Sequence, residues 1–215
     1  MKQRARTDED KQSRRGDILD AARAVFDELE VDAFTMDAVA SSLGLAKGTL
    51  YRYVPTREAL LLALALDEYI AWFDEFDARL TALPAGGDHI DVPAAVAGEM
   101  TDTLLARPRF LRLASLVATV LERNVPLETA RDFKSCVVSH SARTAAALAD
   151  RLGCSASEAK RVLVLTQALT VGLYHHAHPA PVVAEVLADA SFAGARVDFG
   201  PDLRFGIEAL LRAAA

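Results

Sequence analysis

Residues 35–58 read TMDAVASSLGLAKGTLYRYVPTRE, and the order of residue types in this stretch decides the fold. Thr35 suits a helix N-cap, because its hydroxyl can accept a hydrogen bond from an orphan N–H of the first turn. Val39, Ala40 and Leu43 then recur at helical spacing. Gly44 supplies the positive φ that ends a helix at little cost. After the apolar turn residue Leu45, a second short helix carries Leu50 inward and lets Lys47, Thr49, Tyr51 and Arg52 point outward. Val54-Pro55 stops it, since the residue before a proline avoids helical backbone. Two short helices joined by a tight turn form a helix-turn-helix, whose second member is built to enter a DNA major groove.

Working outward, Ile18, Leu19, Ala22, Phe26 and Leu29 mark an amphipathic helix over about 13–29. The segment Glu30-Val31-Asp32-Ala33 links it to the motif. Residues 1–12 read as a polar, mixed-charge tail, either a disordered terminus or an arm touching the DNA backbone. On the other side, Thr56 caps a new helix that carries Glu58 in its first turn. This helix runs to about Leu80. Its stripe of Leu62, Leu66, Tyr69, Phe73, Phe76 and Leu80 is widened to a second face by Leu61 and Trp72, the pattern of a helix bridging two packed bodies.

The stretch from Pro84 to Asp91 is a loop by composition. Further helices are expected from Pro93 to about Ala106, from Phe110 to Glu122, and from Leu127 to Leu152 with Gly153 as the stop. Ser155 and Glu158 fit a capping box opening a helix to about Tyr174. A short helix over 182–189, a Gly/Pro-containing loop over 191–202 and a closing helix from Leu203 to about Arg212 complete the chain. No strand alternation and no repeat is present. The expected fold is all-α: a tail (1–12), a three-helix helix-turn-helix domain (13–60), and a larger helical bundle for ligand binding and dimerisation (61–215).

Bulk properties limit the class. The chain has 215 residues, is 52% apolar and carries a net charge of −6. Residues 1–15 hold six Lys/Arg against three Asp/Glu, whereas 61–215 hold 14 against 19. A DNA-facing surface needs only a local positive face, because phosphate contacts act within a Debye length of roughly 8 Å. An acidic remainder also weakens non-specific sticking to DNA. The longest apolar run, 59–66, is far short of the roughly 20 residues of a membrane span. Charges also occupy the N-terminus where a signal peptide needs apolar residues. Cys136 and Cys154 show neither metal spacing nor a disulfide framework. A reduced, cytoplasmic protein with no cofactor, metal or membrane partner is the expectation.

The motif and the helix before it resemble the TetR/AcrR family of transcriptional regulators. The matching residues are the run from Ile18 to Phe26, Phe34-Thr35, Val39-Ala40, Leu43-Gly44-Leu45, the run from Gly48 to Tyr53, and the run from Thr56 to Leu61. The resemblance covers about the first 62 residues, and beyond them the chain is similar only in being helical. It implies a dimeric repressor of double-stranded operator DNA, whose ligand, bound in the C-terminal bundle, changes the spacing of two DNA-reading heads. By match to the motif, Lys47, Gly48 and Thr49 sit at the groove-facing start of the recognition helix. Tyr51 and Tyr53, flanking Arg52, contact the backbone and a thymine methyl, while Thr35 and Arg57 bind phosphates. The chemistry fits independently: hydroxyls and ammonium groups suit phosphate oxygens, and Lys47 can also read a guanine edge. Four positions depart from the family pattern. Glu30 replaces a glycine, Ala46 a Ser/Thr cap at a loss of roughly 1 kcal/mol, Val54 a Phe, and Arg57 a Lys.

Within the bundle, Tyr69, Trp72 and Phe76 recur at helical spacing, which suits core packing or the wall of a ligand pocket. Phe110, Leu113, Phe133 and Cys136 are weaker pocket candidates. His140, on a largely small-residue face, suits a partly buried polar group or a hydrogen bond to a ligand. Gln167 and Thr170, polar groups within an otherwise apolar helix, are placed for a pocket or a dimer seam. His175, His176 and His178 lie at a helix C-terminus, where histidine is favoured electrostatically, and lack the companions of a fixed metal site. The last long helices carry more apolar surface than one small bundle should bury, and pairing with a second copy covers it. An enzyme is disfavoured, since no phosphate loop, Glu-x-x-His pair or Ser/His/Asp arrangement is present. A helix-turn-helix protein acting mainly through protein partners is the other alternative.

Overall fold

Every regular element in the computed structural model is helical among the described residues, which are 2–29, 31–84 and 90–215, with side chains from Ser13 onward. The chain divides into two units. The first comprises residues 1–67 with 116–133, and the second 68–115 with 134–215.

The first unit holds α1 (Lys2–Glu28), a 3₁₀ turn (Val31–Ala33), α2 (Met36–Ser42), α3 (Lys47–Leu50) and the start of α4 (Arg57–Ala82). Helix α1 begins at Lys2, not near Ser13. The extra turns are rich in Lys, Arg and Gln, which lose little freedom in a helix. The notion of a DNA-touching arm rests on side chains 1–12, which lie outside the described residues, as does Glu30 with its glycine-free turn. Ile18, Ala22 and Phe26 of α1 are fully buried with Phe34 and Leu50. The Phe26 and Phe34 rings meet edge to face at 5.8 Å. Burying each such side chain stabilises the unit by about 1.5–3 kcal/mol. Gly44 adopts φ +63° after α2, and Leu45 N–H donates to the Ala40 carbonyl at 2.9 Å, so the helix closes as its sequence requires. Thr56 caps α4, its hydroxyl accepting from Ala59 N–H at 3.0 Å.

The second unit contains the rest of α4, then α5 (Val92–Leu105), α6 (Pro108–Leu116), most of α7 (Leu127–Leu152), α8 (Ala156–Ala177), α9 (Pro181–Ala188) and α10 (Phe199–Ala214). Asp91 caps α5, and Ser155 with Glu158 forms the capping box of α8. Helix α10 packs on α5 and α8. At its contact with α8, a Cβ on Gly206 would lie 2.5 Å from a Leu169 methyl, which would then have to move. The loop expected after Pro84 has residues 85–89 outside the described residues.

Besides α1, helices α6 and α10 differ from their expected bounds. Pro108 opens α6, where its missing N–H costs nothing, and the helix stops at Leu116. A π turn (Val117–Leu121) and a 3₁₀ turn (Glu122–Asn124) follow in place of a helix to Glu122. The β-branched Val117, Thr119 and Val120 lower helix propensity there. At the other end, α10 starts at Phe199, because Pro201 fits its first turn and Asp202 accepts from Asp198 N–H at 2.9 Å. No helix among the described residues is long and apolar enough to cross a membrane.

Gly44→Ala places a Cβ in left-handed backbone and should lower the unfolding free energy by about 1–2 kcal/mol. Gly48, in α3 with open space around it, should accept alanine without loss. Urea denaturation of the two variants checks both.

Candidate nucleic-acid interface

Helix α3 has four residues, too few to stand alone in water. Its order comes from Leu50, fully buried, and from the turn fixed by Gly44. Its N-cap is Ala46, which makes no side-chain hydrogen bond. On α2, by contrast, Thr35 is the N-cap, accepting from Ala38 N–H at 3.2 Å. With Leu50 turned in, Lys47, Gly48, Tyr51 and Arg52 are exposed, as is Thr35, while Thr49 and Tyr53 are half-buried. The expected groove-facing residues therefore share the outer side of one short helix and its exit turn.

Two cations of this surface are engaged. Lys47 donates from Nζ to Asp37 Oδ2 at 2.7 Å, which holds its ammonium above the usual lysine range. Arg57 turns inward instead of presenting its guanidinium outward. Its Nε donates to the Phe34 carbonyl at 2.7 Å and its Nη2 to the Val31 carbonyl, tying the start of α4 to the link between α1 and α2. The acid at Asp37 is the residue that sequence reasoning missed. Its signal was an exposed carboxylate inside an otherwise cationic and hydroxyl-bearing motif.

In the second unit, a cavity of about 50 Å³ is lined by Tyr69, Trp72, Phe110, Gln167 and Thr170, five of the expected pocket residues. Phe73, Ser141, Leu163 and Thr166 also line it, and no charged side chain does. The Trp72 ring lies parallel to Phe76 at 5.7 Å and to Phe110 at 5.8 Å, and Tyr69 meets Phe110 edge-on at 4.8 Å. Trp72 Nε1 donates to Thr103 Oγ1 at 3.2 Å, and Gln167 Nε2 to the Tyr69 hydroxyl at 2.8 Å. The Thr166 hydroxyl is buried without a hydrogen-bond partner.

The other expected pocket residues lie elsewhere. Phe76 and Leu113 are fully buried core. His140 places Nδ1 2.9 Å from the Cys136 carbonyl and its ring 6.3 Å from Phe73, so this pair flanks the cavity without lining it. Phe133 lines a separate cleft of about 580 Å³ in the first unit, with Arg15, Leu19, Val54 and Leu66. Spacing along α7 could not separate these sites, since Phe133 and Val137 follow the same helical stripe into different units. Among the described residues no group of three His, Cys, Asp or Glu could hold a metal ion.

A helix-turn-helix in the first unit and a helical bundle with an aromatic cavity in the second are the architecture of helix-turn-helix transcriptional regulators. The comparisons with known proteins agree. The family model "Bacterial regulatory proteins, tetR family" matches residues 18–64, and "Tetracyclin repressor-like, C-terminal domain" matches residues 66–213. The chain belongs to the TetR family. It is 30% identical over 140 residues to the HTH-type transcriptional repressor Rv1474c of Mycobacterium tuberculosis, an alignment spanning 65% of each protein's length. Among solved structures, a protein of Mesorhizobium loti assigned to the TetR-family regulators has a TM-score of 0.52 at 17% identity, covering 94% of this chain and 95% of that one. A protein with unknown function from Rhodococcus sp. RHA1 has a TM-score of 0.55 at 16% identity, covering 94% and 95%. These two likenesses concern the fold.

Ala46→Ser supplies the missing cap and should stabilise the head by about 1 kcal/mol. Arg57→Ala removes charged hydrogen bonds to two backbone carbonyls and should cost about 1.5–3 kcal/mol. Thermal and urea unfolding of each variant tests the assignment.

Proposed function

We propose that this chain is a homodimeric transcriptional repressor, acting in the cytoplasm as a regulator and not as an enzyme, that leaves its operator when a small, neutral, mainly apolar effector enters the bundle. The observation that carries the DNA half is the outer row of α3 and its exit turn: Lys47, Thr49, Tyr51, Arg52 and Tyr53 around a single inward Leu50. Ammonium, guanidinium, hydroxyl and phenol groups on one side of a short helix suit phosphates and base edges together. Thr35 at the start of α2 and Gly48, which admits close backbone approach, complete the surface. Arg57 contributes by fixing α4 to the motif.

The effector's character follows from the cavity. With no charged side chain in its wall, a charged ligand would be desolvated without compensation. At about 50 Å³ the cavity is smaller than the roughly 300 Å³ of ordinary ligand sites. Entry therefore opens it, with the Gln167–Tyr69 hydrogen bond the contact to be broken between α8 and α4. Helix α4 also carries, at its N-terminus, the Val54-Pro55-Thr56 joint to the recognition helix.

Dimerisation is supported by apolar surface on α8 and α10. Val164 and Leu165 on α8 and Phe205 on α10 are exposed, Phe205 at 78%. Helix α9 adds Val182, Val183 and Val186, and no residue of α9 is buried. A two-fold partner would cover these faces and supply the second half-site reader.

A gel-shift titration against the DNA upstream of its own gene tests the DNA reading. Lys47→Ala and Tyr51→Ala should each weaken binding about tenfold with the circular dichroism spectrum unchanged, and a folded dimer showing no sequence preference at moderate salt would sink it. Phe205→Glu should yield a folded monomer in sedimentation velocity. Neutral aromatic compounds that raise the melting temperature should also release the DNA, because binding to the native state alone stabilises it.

A further inference from the structure

We propose that Asp37 and Lys47 act as one unit that reads a G·C base pair, with Asp37 as the positioning residue that turns Lys47 away from phosphates and toward a guanine edge. The inference rests on the DNA-binding role proposed above. The pair joins the second residue of α2 to the first of α3, Nζ to Oδ2 at 2.7 Å, on the exposed side of the motif. Both side chains are more than half exposed. An ion pair in that setting contributes little to stability, so its geometry matters more than its strength.

The donor inventory decides what such a lysine can do. An ammonium has three N–H donors and no acceptor. One donor bound to Asp37 leaves two, which match the two adjacent acceptors, O6 and N7, that guanine shows in the major groove. Guanine's edge is uncharged, so the carboxylate can stay where it is. A phosphate oxygen offers the same ammonium a stronger partner, but it brings a full negative charge beside Asp37. The like charges repel, and that penalty falls on every phosphate contact and not on the guanine contact. Adenine presents an amino donor next to N7, which an ammonium cannot accept. Asp37 keeps a second oxygen, Oδ1, able to accept from the amino group of a cytosine.

With Arg57 turned inward, the other exposed cation of the motif is deployed differently. Arg52, exposed on the exit turn, has no acid among its described partners and suits the charge-driven contacts to the backbone. The motif thus separates its two tasks between two cations. Arg52 supplies sequence-independent attraction, and Lys47, held by Asp37, supplies discrimination.

The test compares wild type, Asp37→Asn, Lys47→Ala and the double variant by fluorescence anisotropy. The duplexes are the upstream fragment that wild type binds and a scrambled duplex of equal length, each over a range of salt concentrations. Asp37→Asn should tighten scrambled binding and steepen its salt dependence by about one released counterion, since Lys47 is then free to take a phosphate. The ratio of specific to scrambled affinity should fall about tenfold, and Lys47→Ala and the double variant should show the same low ratio. Replacing guanines one at a time by 7-deazaguanine, which lacks the N7 acceptor, should reveal one position per half-site that costs wild type about tenfold and the two single variants little. Urea denaturation of Asp37→Asn checks that its head remains folded, and Asp37→Ser repeats the measurement at a second side chain. An unchanged ratio and salt slope in both Asp37 variants, with Lys47→Ala impaired, would overturn the proposal and leave the DNA-binding role standing. Wild type that does not distinguish the two duplexes would overturn both.

Discussion

A recognition helix of four residues cannot hold its own shape, and the first unit is arranged around that constraint. Three contacts outside the helix supply what its own hydrogen bonds cannot. Leu50 is fully buried, Gly44 fixes the angle at which the helix leaves α2, and Arg57 clamps the following helix to the Phe34 and Val31 carbonyls. Each acts on a different end or face. The outer side can then be given over entirely to polar groups, because none of them is needed to keep the helix in place.

The same division explains how far the sequence could be read. Caps and stops are local chemistry, so Thr35, Thr56, the Ser155–Glu158 box, Gly44 and Gly153 stand where the residue order puts them. The long α7 has its expected bounds for the same reason. What could not be read depends on neighbours distant in sequence. Arg57 has the residue type and position of a phosphate binder, yet its donors meet carbonyls of a segment more than twenty residues earlier. Lys47 likewise looked solitary until folding brought Asp37 beside it. Phe133 shares a stripe with residues facing the aromatic cavity but belongs to the cleft of the other unit. The ends of α1, α6 and α10 shifted because propensity and proline placement, not apolar periodicity, set them.

The second unit shows a different balance. Its polar groups are few and mostly committed. Trp72 is bonded to Thr103, Tyr69 to Gln167, and Glu68, 8% exposed, to Arg109 at 2.8 Å. Glu75 is held below the usual carboxylate range, chiefly by its hydrogen bond from Arg107. Against that background Thr101, Thr144 and Thr166 keep buried hydroxyls without a hydrogen-bond partner, and of these Thr166 lies at the wall of the cavity. A buried hydroxyl without a partner costs free energy, and a site that carries one gains from any guest able to satisfy it.

Trp72 has one more consequence, which is optical. It is the single tryptophan of the chain, 6% exposed, and it forms part of the cavity wall between two parallel phenylalanine rings. The first unit contains Tyr51 and Tyr53 but no tryptophan. Indole emission from the unaltered protein therefore comes from one place only, the lining of that cavity. A guest there would quench or shift it at contact distance, while events confined to the reading head would leave it unchanged. The far-ultraviolet signal, by contrast, sums helices from both units, so the two spectra followed together in one titration or one melt would show whether head and bundle respond as a single cooperative body or in turn.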